Sequence, residues 1–482
     1  MPRPMIASRR QFLRTSAAYA AGFAGVRALT HPGLASAASG SRSESVSQFG
    51  ALIPDPKGVL DLPAGFKYRV ISRTGEEMDD GLLVSSAPDG MATFEGPDGL
   101  TILVRNHESL PGMAGPFGKN SERLEKIGAE RLYDDGNLVT PAVGGTTTVV
   151  YDTKQQKVVR QFQSLAGTER NCAGGPTPWG SWITCEETVD KPGNIAGMSD
   201  FTVAKAHGYN FEVPATADIA LADPTPLIDM GRMRHEAIAV DPNSGAIYET
   251  EDVDDGAIYR FLPNKPGVNG AKADLTAGGR LQALVVAGQG KLDTRNWDSS
   301  DVRVGQKLPV RWIDLSDPES PDDDLRYRAY DLGAARFARG EGMWHVVTPA
   351  GQSEIYFACT SGGSERIGQI WKYTPGPKEG QRDEASSPGE LELFIEQNDS
   401  RLIQNADNLC AAPWGDLVIC EDRQGDVVRL IGVTPQGECY TLANNQVRGE
   451  FAGVCFSPDG STLFVNLQTK GLTLAVTGPW LG

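Results

Sequence analysis

The chain has 482 residues, of which 40% are hydrophobic and 22% charged, and its formal net charge is −17 at neutral pH. So large an acidic excess argues against nucleic acid and anionic membrane as partners and favours metal cations. The apolar content supports a sizeable core, and 56 glycines with 31 prolines fit many short strands joined by tight turns in one large domain.

The first residues read as an address. Ser8-Arg9-Arg10-Gln11-Phe12-Leu13-Arg14 is a paired-arginine sequence, followed by a small and apolar run from Thr15 to Leu29 and by the small-x-small site Ala35-Ser36-Ala37. The expectation is a twin-arginine signal over residues 1–37, delivered to the twin-arginine export machinery. The remaining chain is then periplasmic or secreted, because no other stretch is long and apolar enough to be an integral membrane segment. The signal carries five arginines and no acid, so its removal makes the rest more negative still. Residues 38–56 are small and polar and read as a flexible leader, leaving 57–482 as the catalytic domain.

Strand-like sequence begins near Phe66-Lys67-Tyr68-Arg69-Val70-Ile71. A hairpin unit follows: Asp89-Gly90-Met91 leads to the turn Pro97-Asp98-Gly99 and ends at Asn106-His107-Glu108. Residues 121–130 are charged enough for a short surface helix or loop, and residues 146–151 and 158–162 alternate as outer strands should. A second unit runs from Asn171-Cys172-Ala173 through Pro178-Trp179-Gly180 to Cys185-Glu186-Glu187. After an insertion over 190–226 comes the clearest copy, His235-Glu236 through the turn Pro242-Asn243-Ser244-Gly245 to Glu249-Thr250-Glu251-Asp252. Residues 264–323 form a longer Gly- and Asp-rich insertion, suited to a surface lobe over the channel mouth.

Glu341-Gly342-Met343 then leads to Pro349-Ala350-Gly351 and Cys359-Thr360-Ser361, and a polar, disordered-looking link follows at 375–389. Two final copies run from Asp407-Asn408-Leu409 to Cys420-Glu421-Asp422 and from Glu450-Phe451-Ala452 to Asn466-Leu467-Gln468. A hairpin unit repeated six times is the mark of radial repetition, and the expected fold is an all-β, six-bladed β-propeller with loop and helical insertions. Each hairpin returns the chain to its own starting edge, so the polar ends converge on one mouth of the central channel. Carboxylates so crowded repel one another unless cations neutralise them, and the channel is expected to hold a metal cluster.

The candidate metal ligands are Glu108, Cys172, Glu186, Glu187, Glu236, Glu251, Asp252, Glu341, Asp407, Glu421 and Glu450. Calcium takes about six to eight oxygen ligands, which strand-end acids supply without dedicated loops. It does not want a thiolate, so Cys172 among hard oxygens points to a transition metal, iron being compatible. Arg234 and Arg339 each stand two residues before a glutamate, as phosphate clamps or as simple salt bridges within the acidic cluster. Asn171 joins them as a candidate on the substrate side. His107 and His235 also precede glutamates, and alternation turns them away from the channel into packing roles.

Seven cysteines leave at least one unpaired. Cys185, Cys410, Cys420 and Cys455 sit in apolar strand contexts and read as buried thiols, with Cys410–Cys420 and Cys172–Cys185 bridges left open. No G-x-S-x-G elbow, glycine-rich nucleotide loop or Ser/His/Asp ordering is present.

The segments Asn171-Cys172-Ala173-Gly174-Gly175, Thr177 to Glu187, Gly231 to Glu236 and Glu450 to Gly460 with Leu463-Phe464-Val465-Asn466 resemble the PhoX family of bacterial alkaline phosphatases. The resemblance runs from about Asn106 to the C-terminus. It implies a six-bladed propeller whose channel holds ferric iron, Fe(3+), and calcium, Ca(2+), bridged by an oxo group. The implied activity is hydrolysis of small phosphomonoesters outside the cytoplasm; the chain is expected to be a monomer. By motif, Cys172 is then an iron ligand, Glu236 and Glu341 are shared carboxylate ligands, and Arg339 contacts the phosphate. The rivals are a calcium-dependent propeller hydrolase of another ester (phosphodiester, phosphotriester or lactone) and a non-catalytic propeller that calcium merely staples.

Overall fold

The computed structural model describes residues 47–480, apart from 139, 196, 197, 424 and 426. The expected signal and its cleavage site lie outside the described residues. Each of the six hairpin copies opens an antiparallel meander. The first is Pro88–Glu95, Thr101–His107, Gly144–Asp152 and Lys157–Thr168; the second has three strands, Asn171–Pro176, Ser181–Glu186 and Asn210–Pro214. The third is His235–Val240, Ile247–Glu251, Ile258–Pro263 and Gly279–Val286, and the fourth is Gly340–Val347, Ser353–Cys359, Gln369–Thr374 and Glu390–Ile395. Lys307–Asp314 pairs with the outer strands of both and fuses them into a nine-stranded sheet.

The fifth meander, Ala406–Ala411, Leu417–Glu421, Val428–Val433 and Cys439–Asn445, is extended outward by Leu60–Pro63 and Leu52–Ile53. The sixth, Phe451–Phe456, Thr462–Leu467 and Leu472–Thr477, takes its fourth strand from the other end of the chain, Lys67–Arg73. The opening strand of each meander packs against the next, and that of the sixth packs back on the first. The ring closes as a propeller, with both ends of the described residues knitted into it.

Sequence chemistry explains the crowded axis. A methyl group on Gly90 would lie 2.5 Å from Cα of Ala173, one on Gly342 2.6 Å from Cα of Asn408, and one on Gly453 2.2 Å from the carbonyl oxygen of Asp89. Only small residues let inner strands approach so closely. Gly90, Ala173, Ala237, Gly342, Asn408 and Gly453, one from each blade, surround an axial void of about 20 Å³, room for one water at most. Trp344 borders the same void and packs against apolar clusters drawn from the first, second, fourth, fifth and sixth blades. The channel is pinched shut below the mouth.

Two expectations need correction. The leader is not free along its described part: Phe49 makes edge-on contacts with Phe66, Trp414 and Trp480, which half-bury an aromatic that a polar composition concealed. The link at 375–389 is ordered, because the fully buried Arg260 holds both Glu379 and Glu384 and lies 4.6 Å from the Trp312 ring centroid. Its polar look came from acids that serve an interior arginine. The cysteines read as buried thiols are buried thiols, and neither bridge left open forms: all seven cysteines are free and buried.

Candidate metal centre

One irregularity recurs in every blade. Between the first and second strands the register slips by one residue at Asp89-Gly90, Cys172-Ala173, Glu236-Ala237, Glu341-Gly342, Asp407-Asn408 and Gly453-Val454. Such bulges re-aim a side chain where strict pleating would alternate it. In five blades the re-aimed residue is an acid or cysteine, and in the sixth it is Gly453, where the Asp89 carbonyl leaves no space for a side chain. Glu450, just before the sixth blade's first strand, supplies that sector instead. In every blade but the fourth, the residue after the second strand faces the same space, contributing Glu108, Glu187, Asp252, Asp422 and Gln468.

The result is a cavity of about 210 Å³ lined by nine carboxylates (Asp89, Glu108, Glu187, Glu236, Asp252, Glu341, Asp407, Asp422 and Glu450), the Cys172 thiol, Gln468, and only two guanidinium groups, Arg170 and Arg339. Arg170 donates to Glu108 at 3.0 Å and Glu187 at 2.8 Å. Arg339 forks onto Asp252 at 2.8 and 2.9 Å and reaches Glu341 at 2.8 Å. Gln468 donates to Asp89 at 2.6 Å and Glu108 at 2.9 Å.

Two arginines cannot balance this charge. Burial, followed by neighbouring acids, pushes Asp89, Glu187, Glu236, Glu341 and Asp407 well above the carboxylate range, and burial with Asp422 raises Glu450 to about 12. Burial and the surrounding acids likewise push the Cys172 thiol up. Both oxygens of the fully buried Glu236 lack any hydrogen-bond donor, an arrangement that costs heavily unless something else satisfies them. Ligand atoms of Asp89, Glu108 and Cys172 lie within 4.8 Å of one another, as do those of Cys172, Glu187 and Glu236, and those of Glu236, Glu341 and Asp407. Three overlapping groups that share Cys172 and Glu236 fit several cations side by side, the sulfur suiting a softer ion than the oxygens.

Nine expected residues meet here: Cys172, Glu108, Glu187, Glu236, Asp252, Glu341, Asp407, Glu450 and Arg339. Five stand elsewhere. Glu186, Glu251 and Glu421 each end a second strand one residue too early and turn to the opposite face. There Glu186 accepts from His207 at 2.6 Å, Glu251 from Tyr259 at 2.8 Å and Arg326 at 3.3 Å, and Glu421 from Arg429 at 2.9 Å. Asn171 is buried between Thr168 and Thr184, at 2.6 and 3.0 Å.

Arg234 is paired at 3.0 Å with Asp323 of the insertion, whose helix α1 (Leu325–Asp331) is anchored by Arg326. The backbone explains why it differs from Arg170 and Arg339. All three stand two residues before a bulge ligand, yet Arg170 and Arg339 are left-handed, φ 46° and 54°, as are Ala87 and Asn405 at the same position; Arg234 is not. Strain of this kind concentrates at functional sites.

Asp89, Arg170, Asp422 and Gln468 line the cavity without having been singled out as site residues. The repeat itself signals them: they occupy the positions equivalent to Cys172, Arg339 and Glu187. His107 and His235 pack inward as expected, His107 between the Ser86 carbonyl at 3.0 Å and Thr147 at 2.9 Å, and His235 against the Gly231 carbonyl at 3.0 Å.

The acid turned away at Glu186 carries a pH prediction. Burial alone would lower the His207 pKa, but Glu186 and Asp134 outweigh it and hold it near about 10, against 6.5 in a free side chain. A raised folded-state value means stability that is complete below pH 6.5 and is lost as pH climbs through about 10. The unfolding midpoint of the wild type should therefore exceed that of His207→Gln most at pH 6 and converge toward it above pH 10; a constant gap would contradict the assignment.

The family model for alkaline phosphatase PhoX matches residues 47–471. Among solved structures, Pseudomonas fluorescens PhoX in complex with vanadate, a transition state analogue, aligns with a TM-score of 0.63 at 20% identity, covering 87% of this chain and 96% of that one. A gluconolactonase from Xanthomonas campestris aligns with a TM-score of 0.32 at 14% identity, covering 89% and 98%. The PQQ domain of a Coprinopsis cinerea pyranose dehydrogenase reaches 0.30 at 10% identity, covering 88% and 98%. The last two carry no argument about activity. No curated protein matches.

Proposed function

We propose, for a chain that belongs to the alkaline phosphatase PhoX family, that the acidic cavity is the site where its phosphate monoesters are cleaved. The protein is a metal-dependent phosphoric monoester hydrolase. The observation that carries the reading is Glu236, both of whose buried oxygens stand without a donor in the middle of nine carboxylates and a thiol.

Cys172, Asp89, Glu108, Glu187, Glu236, Glu341 and Asp407 would hold the cations, with Fe(3+) at the sulfur and Ca(2+) among the oxygens. Bound there, they supply charge neutralisation at the phosphoryl oxygens and activation of water. Asp252 and Glu341 fix the guanidinium of Arg339 at the cavity edge, so that it meets an incoming phosphate without reorganising. Arg170, fixed by Glu108 and Glu187 between the first and second blades, does the same. Water's oxygen bonds to phosphorus, the ester P–O bond breaks, and the alcohol leaves with a proton.

The paired arginines near the N-terminus support export by the twin-arginine route. No helix among the described residues is long and apolar enough to cross a membrane.

The test is release of 4-nitrophenol from its phosphate at alkaline pH, with and without chelator, alongside elemental analysis. Iron with calcium and chelator-sensitive turnover are expected; calcium alone, with no turnover, would sink the reading. Arg339→Lys should lower kcat/KM by about a hundredfold, because a point charge cannot replace a planar fork held by two carboxylates.

A further inference from the structure

The segment leaving the second strand of the fourth blade runs along the rim of the cavity. Thr360 donates its N–H to the Arg339 carbonyl at 3.0 Å, and Asn405, two residues before Asp407, donates to the Ile367 carbonyl at 2.6 Å. On this rim the Trp297 ring lies between two guanidinium groups, Arg295 at 4.1 Å and Arg366 at 4.2 Å from its centroid. The indole is fixed in place. Its N–H donates to the Ser361 carbonyl at 2.6 Å, and the preceding residue, the buried left-handed Asn296, is bonded to Glu396 at 2.7 Å and to Val302 at 2.7 and 3.1 Å.

The two arginines are not equivalent. Arg295 is engaged by both oxygens of Asp293, at 2.8 and 2.5 Å, and by the Asp254 carbonyl at 3.2 Å. Arg366 is exposed and left-handed at φ 55°, and among the described residues its guanidinium has no acidic partner and donates no hydrogen bond. A guanidinium held over an indole face can keep N–H groups free while giving up little further freedom when it binds an oxyanion. In a chain of strongly negative charge, an unpaired guanidinium on the segment that bonds to the backbones of Arg339 and Asn405 has a specific use.

Resting on the phosphatase reading, we infer that the Trp297–Arg366 stack is a subsite for a second negative group, a carboxylate or a further phosphate, on the leaving-group side of the ester. It gives the enzyme a preference among monoesters that the acidic cavity alone does not supply.

Two esters of nearly equal size test this, 3-phosphoglycerate and glycerol 3-phosphate, which differ by a carboxylate in place of a hydroxymethyl. The wild type should favour the first in kcat/KM. Arg366→Asn, whose side chain tolerates the left-handed backbone, should reduce that ratio about tenfold, mainly through KM, and Arg366→Lys should restore part of it. Arg366→Gly repeats the test if the asparagine variant fails to fold. Cleavage of 4-nitrophenyl phosphate with no preference between the two esters, or an unchanged ratio in the variants, overturns the subsite alone. Wild-type protein that cleaves none of the three overturns the phosphatase reading and this inference with it.

Discussion

Glu236→Gln is expected to lower phosphomonoester turnover by about a thousandfold or more and to reduce the metal content, while leaving the metal-free protein at least as stable as the wild type. Glu236 belongs to two of the three ligand groups, so its loss breaks the link between them. In the metal-free state the same carboxylate is a liability: it is fully buried, neither oxygen has a donor, and burial together with Glu341 and Asp407 disfavours its charge. An amide of the same shape removes that repulsion. Turnover, elemental analysis and thermal unfolding in chelator separate the two effects. A variant that keeps its metals and its rate would show that Glu236 is not a ligand.

Complete metal removal is the second large effect. Nine carboxylates facing two guanidinium groups are tolerated only while cations sit among them. Chelation should abolish activity and lower the unfolding midpoint by roughly 5–10 °C, the size expected when a tightly held ligand is withdrawn from a large domain. Added monovalent salt should recover part of the lost stability in the metal-free protein, by screening, and little in the loaded one. Unfolding midpoints that do not move with chelator, at any ionic strength, would mean that the acids share protons rather than cations.

Much of this was legible because a propeller repeats itself. Turns such as Pro97-Asp98-Gly99 and Pro242-Asn243-Ser244-Gly245 mark the hairpins, and the polar residues flanking them mark the mouth. What the strand period hides is the bulge. Beside it, position at a strand end sends Glu186 with Glu187, Glu251 with Asp252, and Glu421 all to the mouth, whereas adjacent residues of a strand face opposite sides, so that only Glu187, Asp252 and Asp422 arrive. A left-handed residue is equally silent in sequence. Arg170, Arg234 and Arg339 look alike on paper, and the backbone sends two of them to the cavity edge and one to Asp323. Long-range partners were illegible for a third reason. Nothing near 375–389 announces that its acids serve Arg260, more than a hundred residues away.

The pinched axis has a kinetic corollary. With six small residues drawn together around a void of about 20 Å³ and Trp344 beneath them, the catalytic chamber is a blind alley. The freed phosphate must back out through the doorway by which the next ester arrives. Occupancy by one therefore excludes the other, and the two guanidinium groups that hold an anion at the cavity also delay its departure. Congestion of this sort places an upper limit on turnover whenever phosphate accumulates, whatever the speed of the bond-breaking itself.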